Sequence, residues 1–229
     1  MNSIKWNDTL LFNNGIIVEK IPPITKAKKR ITQYTIPGRN GVLNVDNGTY
    51  EPFNLSLECH YREDNANIDY LKNWLDGYGR LSLDGVKYYE GVINNNITFD
   101  KVQNFRKFIL SFMLNPIAKS IDTFTEDIDV SQATNTINVG GNYQTYPIIN
   151  IESTGTVIIR INEITFTLYN TDGTYKLDCS EKEIIKNNQS MSSIMSGDFP
   201  YLNPGDNEIF ISGDGTITSM SIEYNEAYL

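Results

Sequence analysis

The chain has 229 residues with 40% hydrophobic and 11% aromatic content, enough to bury one large or two ordinary cores and too apolar for a disordered segment. No apolar run approaches the ~20 residues that span a bilayer, so membrane insertion is not expected, and the polar start MNSIKWNDTLLF lacks the unbroken stretch of an export signal, which points to synthesis in a cytoplasm. The net charge of −9 is uneven: residues 1–115 carry 14 Lys/Arg against 12 Asp/Glu, and residues 116–229 carry 5 against 16, which argues for two units and against docking on nucleic-acid phosphates.

Residues 16–21 are a short apolar strand that Pro22-Pro23 ends, and a basic stretch with Lys26, Lys28, Lys29 and Arg30 follows. Strand-like pieces flank PGRNG at 37–41, and Asp46, Asn47 and Gly48 read as a second turn. Pro37 and Gly38 fit the two central positions of a type II turn, which leaves Arg39 and Asn40 at a loop tip. The spacing is wrong for a phosphate-cradling loop, because neither GxxxxGK[ST] nor GxGxxG is present and a strand follows where a helix would be needed.

From Phe53 the alternation is clean. Phe53, Leu55, Leu57, Cys59 and Tyr61 share one face, and Asn54, Ser56, Glu58, His60 and Arg62 share the other. A helix follows, capped by Asp64 or Asn65, with Ile68, Leu71, Trp74 and Leu75 on one stripe and Gly77 at its end. RLSLDGVKYYEGVI reads as a hairpin with Asp84-Gly85 as a two-residue turn. Residues 105–114 are apolar at nearly every position, the pattern of a strand covered on both faces.

After Pro116 comes a polar connector, and then short β pieces punctuated by turn signals at Gly140-Gly141-Asn142, Thr154-Gly155, Asp172-Gly173, Pro204-Gly205-Asp206 and Gly213-Asp214-Gly215. This is the pattern of an antiparallel β-sandwich. The expected fold is mainly β with one helix. An N-terminal β-barrel-like or split-barrel domain covers residues 1–120, and a C-terminal sandwich covers 121–229.

Catalysis has no foothold. The single histidine, His60, is next to Cys59 on a strand, where neighbouring side chains point to opposite faces, and GxSxG, HExxH and CxxC are all absent. Glu126, Asp127 and Asp129, and likewise Glu181 and Glu183, sit in polar segments and read as solvated surface. Asn170-Thr171-Asp172-Gly173 begins like a calcium loop but lacks the glutamate at the twelfth position. Cys59 and Cys179 fall in different domains and read as buried small hydrophobes. No catalytic residue, metal or cofactor is expected. Sugar binding through the sandwich is the functional rival, with Tyr169 and Tyr175 as candidate glycan contacts.

PGRNG at 37–41, FNLSLECHY at 53–61, LKNWLDGYGRLSLDG at 71–85, KYYEGVI at 87–93 and FRKFILSFMLNP at 105–116 follow one another in an order that resembles the distal tail proteins of phages with long flexible tails. GGNYQTYPIINIESTG and FPYLNPGDNEIFISGDG resemble the opening and the late stretch of that family's C-terminal sandwich, often called galectin-like. The resemblance implies a virion structural protein at the tail tip. It would form a hexameric ring between the tail tube and the hub or tail-fibre adsorption apparatus, with tail-tube, tape-measure and hub or fibre proteins as partners. The N-terminal domains would make the ring and the sandwiches would project outward. Arg39, Asn40, His60 and Arg62 are the candidate oligomer or partner contacts. The family's inserted carbohydrate-binding modules are missing from this chain.

Overall fold

A computed structural model describes residues 3–23, 25–62, 68–102 and 105–229. The chain divides into two compact units, one running to Ile121 and the other Asp122–Tyr228. The expected helix caps, Asp64 and Asn65, lie outside the described residues.

In the first unit the central ladder pairs Phe53–Arg62 with Phe105–Leu114 over ten antiparallel rungs, from Phe105 opposite Arg62 to Leu114 opposite Phe53. The hydrogen-bonded order is Thr9–Leu10, Lys5–Trp6, Tyr78–Ser82, Lys87–Ile93, Phe105–Leu114, Phe53–Arg62, Ile16–Lys20. Laid flat, the first and last of these seven strands would be about 29 Å apart at ~4.8 Å per neighbour. Yet Leu10 reaches Ile16 through only a 3₁₀ turn, Leu11–Asn14, and Gly15, and that turn rises only about 2 Å per residue. The sheet must therefore curl, which gives the barrel-like unit expected from the sequence.

Leu71 of the helix Ile68–Trp74 and the following Leu75 are buried in one core with Trp6, Leu57, Tyr61, Leu110 and Phe112. Trp6 lies 5.3 Å from the Phe112 ring, and it dictates the second glycine of LDGYG. A Cβ at Gly79 would sit 2.6 Å from Trp6 Cζ2, inside its van der Waals surface.

Three sequence expectations change in this unit. The Asp84-Gly85 turn is a four-residue connection, 83–86, between Tyr78–Ser82 and Lys87–Ile93. Its shape comes from Asp84 Oδ1, which accepts from the Val86 and Lys87 amides at 2.8 and 2.9 Å, and from Ser82 Oγ, which accepts from Gly85 N. Asp46, Asn47 and Gly48 do not turn the chain; they bulge within one strand, Val42–Tyr50, where Asp46 Oδ1 accepts from Gly48 N at 2.9 Å. Finally, Phe105–Leu114 is covered on one face only. Phe108, Leu110, Phe112 and Leu114 are buried, but Ile109 is 49% and Met113 42% exposed.

In the second unit two long strands, Ile148–Ile161 and Ile164–Asp178, pair along their length. The Thr154-Gly155 and Asp172-Gly173 signals lie inside this pair, Thr154 opposite Asp172, as a bulge rather than as chain reversals. Beyond Ile148–Ile161 the sheet splits. Its first half pairs with Thr216–Tyr224, which carries Phe124–Asp127, and its second half pairs with Gly205–Gly213, which carries Thr134–Val139. One bent nine-stranded sheet thus supplies the layers that close over Ile149, Ile151, Ile159, Phe166, Leu168, Leu177, Ile209 and Ile222. The polar connector after Pro116 contributes the strand Phe124–Asp127 and the start of Thr134–Val139. At the split the backbones nearly touch, and a Cβ on Gly213 would lie 2.5 Å from the Thr156 carbonyl oxygen.

Asn207 is fully buried in this unit. Its Oδ1 accepts from Asn203 N and Asn162 Nδ2, both at 2.8 Å, and its Nδ2 donates to Asn203 O at 2.8 Å and Gly205 O at 3.0 Å. Asn207→Ala strands these partners, and the expected cost is about 2–4 kcal/mol. Calorimetry should show the transition of the second unit falling by roughly 10–20 °C. Gly213→Ala is expected to lower the same transition, because no nearby side chain can move to relieve a backbone clash.

Candidate assembly surface

The segment around PGRNG is a two-stranded hairpin, Lys29–Thr35 with Val42–Tyr50, that among the described residues joins no other sheet. Its turn has the predicted geometry: Gly38 has φ +80° and Arg39 N donates to Ile36 O at 3.1 Å. At its root Glu51 N donates to Lys28 O at 2.8 Å, and Lys28 pairs with Glu51 while Lys29 pairs with Asp46. The Lys29 ammonium, and next the Gly48 amide, hold the Asp46 carboxyl below its ordinary pKa.

The register sorts the side chains into two faces. Thr32 and Tyr34 oppose Val45 and Leu43 on one; Ile31, Gln33 and Thr35 oppose Asp46, Asn44 and Val42 on the other. Both faces carry apolar side chains and both lie open, with Tyr34 54% and Ile31 50% exposed. Cross-strand polar contacts, Gln33 Nε2 to Asn44 Oδ1 and Thr32 Oγ1 to Asn47 Oδ1, both 3.0 Å, add little cover. A two-stranded hairpin without a packing surface is marginal in water. Arg39 and Asn40 are exposed at its tip.

A second open surface is the outer face of the curled sheet. Its rows run Ile17, His60, Lys107; Glu58, Ile109; Ser56, Ser111; and Asn54, Met113. His60 is half-buried, with Nδ1 3.1 Å from Glu19 Oε1 and its ring edge-on to Phe105 at 5.5 Å. Lys107 Nζ reaches the same carboxylate oxygen at 3.1 Å, and its hydrogen bond is the main reason the Glu19 pKa is lowered. Arg62 ends the neighbouring strand, but its side chain lies outside the described residues. Beside this cluster is a groove of about 470 Å³ lined by Glu19, Glu58, Asn95, Asp100, Lys107 and Ser111. Asn95 forms part of its wall: its Nδ2 donates to Ile109 O and its Oδ1 accepts from Ser111 N, both at 2.8 Å, filling rungs that no strand supplies.

The candidate glycan contacts separate. Tyr169 is exposed. Tyr175 is a core residue at 2% exposure, its hydroxyl donating to Asp172 Oδ1 at 2.8 Å and its ring lying 5.0 Å from Lys186 Nζ, so it offers no free ring face. Its inward orientation follows from the register opposite Ile151. Among the described residues no group of acidic, His or Cys side chains could hold a metal. Cys59 and Cys179 are free and buried, and burial pushes both thiols up to about 12.

Sequence reasoning found the PGRNG loop, but not the two-faced apolar character of its arm or the roles of Glu19 and Asn95. The run ITQYTI was legible as a strand, but nothing local told that both of its faces lack cover. Glu19 and Lys107 are 88 positions apart, and only the register brings them together.

Glu19 gains its partners on folding, so its contribution is present above its ordinary value of 4.5 and is lost as pH falls through the lowered folded value. Thermal melts should show Glu19→Gln less stable than the parent near neutral pH, the gap closing under acid. A gap that stays constant with pH would remove Glu19 from the account.

Residues 140–228 match the family described as siphovirus-type tail component, C-terminal domain. The whole fold is similar to the crystal structure of the SPP1 Dit protein, described as a paradigm of the hub adsorption apparatus in phages infecting Gram-positive hosts. The TM-score is 0.77, with 15% identity over 99% of both chains, a likeness of fold. No curated protein sequence matches the chain.

Proposed function

We propose that the chain is a structural component of a phage tail that forms a hexameric ring at the tail tip, a reading supported by the match of residues 140–228 to a siphovirus-type tail component domain and by the likeness of the whole fold to the SPP1 Dit protein. The ring joins the tail tube to the hub or fibre proteins that adsorb to the host. The observation that carries this reading is the arm 29–50, which carries exposed apolar side chains on both faces and, among the described residues, pairs with no other sheet. A head-to-tail ring needs two different surfaces on each copy. The arm supplies one. The outer face with Ile17, Ile109 and Met113 supplies the other. Residues 1–120 make the ring in this reading, and the strongly acidic remainder stays solvated and meets partners.

Negative-stain microscopy and sedimentation test it, with a six-fold ring as the expected particle. A strict monomer at every concentration, with tail-tube protein present, overturns the ring. Arg39→Ala should weaken assembly while leaving the melting curve of the monomer unchanged. Replacing Tyr34 and Leu43 by Ser removes about 1.5–3 kcal/mol of burial for each side chain, so the association constant should fall by more than about tenfold.

A further inference from the structure

Three Asn-Gly pairs occur in the chain, Asn14-Gly15, Asn40-Gly41 and Asn47-Gly48. Asparagine before glycine can lose its amide without an enzyme. The glycine backbone nitrogen attacks Cγ of the asparagine, a N–Cγ bond forms, the Cγ–Nδ2 bond breaks, and ammonia leaves carrying the displaced proton. Water then opens the succinimide at either carbonyl to give aspartate or isoaspartate. The rate depends on the local structure, because the attacking N–H must be free and the side chain must be able to swing back onto it.

The structure separates the three pairs on this criterion. Gly15 N donates to Phe12 O at 2.9 Å and Asn14 is half-buried with its Nδ2 enclosed. Gly48 N donates to Asp46 Oδ1 at 2.9 Å, and Asn47 Oδ1 is held by Thr32 Oγ1 at 3.0 Å within a strand. Both nucleophiles are engaged. Asn40 and Gly41 are exposed in the loop, before the first rung of the ladder, where Thr35 opposes Val42. Among the described residues no hydrogen bond holds the Asn40 side chain.

We propose that Asn40 is a spontaneous deamidation site of the free chain, and that it ages well before Asn14 and Asn47. The product sets a carboxylate beside Arg39 and, as isoaspartate, adds a methylene to the backbone of the turn. A subunit that remains unassembled therefore changes the charge of its own arm tip.

The test is peptide mapping of the full-length chain held in mildly alkaline buffer, with a synthetic peptide of residues 34–47 as the unfolded reference. The Asn40 site should gain about 1 Da at close to the peptide's rate, and about tenfold faster than Asn14 or Asn47. Asn40→Gln should abolish the fast phase. Loss at Asn40 as slow as at the other two sites, or loss first at either of them, overturns the proposal. The effect on assembly rests on the reading of the arm given above and is measured separately. If the Asn40→Asp chain forms rings as the parent does, the loop's assembly role fails while the modification site stands.

Discussion

The ten-rung ladder between Phe53–Arg62 and Phe105–Leu114 is the constraint on which the first unit depends. Its register fixes which side chains face inward, and so places Leu57, Tyr61, Leu110 and Phe112 in one core with Trp6 and Leu71. The same register sends Glu58, His60, Lys107, Ile109 and Met113 outward together. A one-residue slip would exchange the two sets, which is why a ladder with one buried face has a single stable alignment. The short link from Leu10 to Ile16 then curls the sheet, because the chain has no length to reach across a flat one.

That curl closes the apolar interior but leaves two surfaces without cover. The arm 29–50 extends apolar side chains on both faces from a root where Ala27 is buried and Lys28 and Glu51 pair. Its internal hydrogen bonds are exposed, and local stability of this kind sits at the low end of what a folded chain sustains. The outer sheet face mixes Ile17, Ile109 and Met113 with a carboxylate held between His60 and Lys107. Unlike surfaces on one copy are what a closed ring of identical subunits requires.

The second unit solves a different problem, which is how to build two layers from one sheet. Ile148–Ile161 and Ile164–Asp178 stay paired through a bulge, and their flanking strands divide between the layers. Glycines allow the backbones to approach at the division, and a buried amide, Asn207, satisfies the carbonyl and amide groups of the chain that enters Gly205–Gly213. The P-G-x-N stretch is thus a structural clasp.

Much of this was written in local sequence. Alternation of period two specified the strand at 53–62 and its buried side, the three-and-four spacing specified the helix at 68–74, and Pro37-Gly38 specified its turn, because each depends only on neighbours in the chain. Composition and motif order likewise announced a mainly β chain with one helix. Tertiary structure decided the rest. Whether Asp46-Asn47-Gly48 or Thr154-Gly155 reverses the chain or bulges within a strand depends on the partner strand, which is distant in sequence. Whether Ile109 and Met113 are covered, or Tyr175 is open, depends on which layer lies over them. The meeting of Glu19 with His60 and Lys107 depends on a register set 41 and 88 positions away. Backbone propensity is a short-range property and is legible in sequence. Burial, register and pairing are long-range properties, and they exist only once the chain has closed on itself.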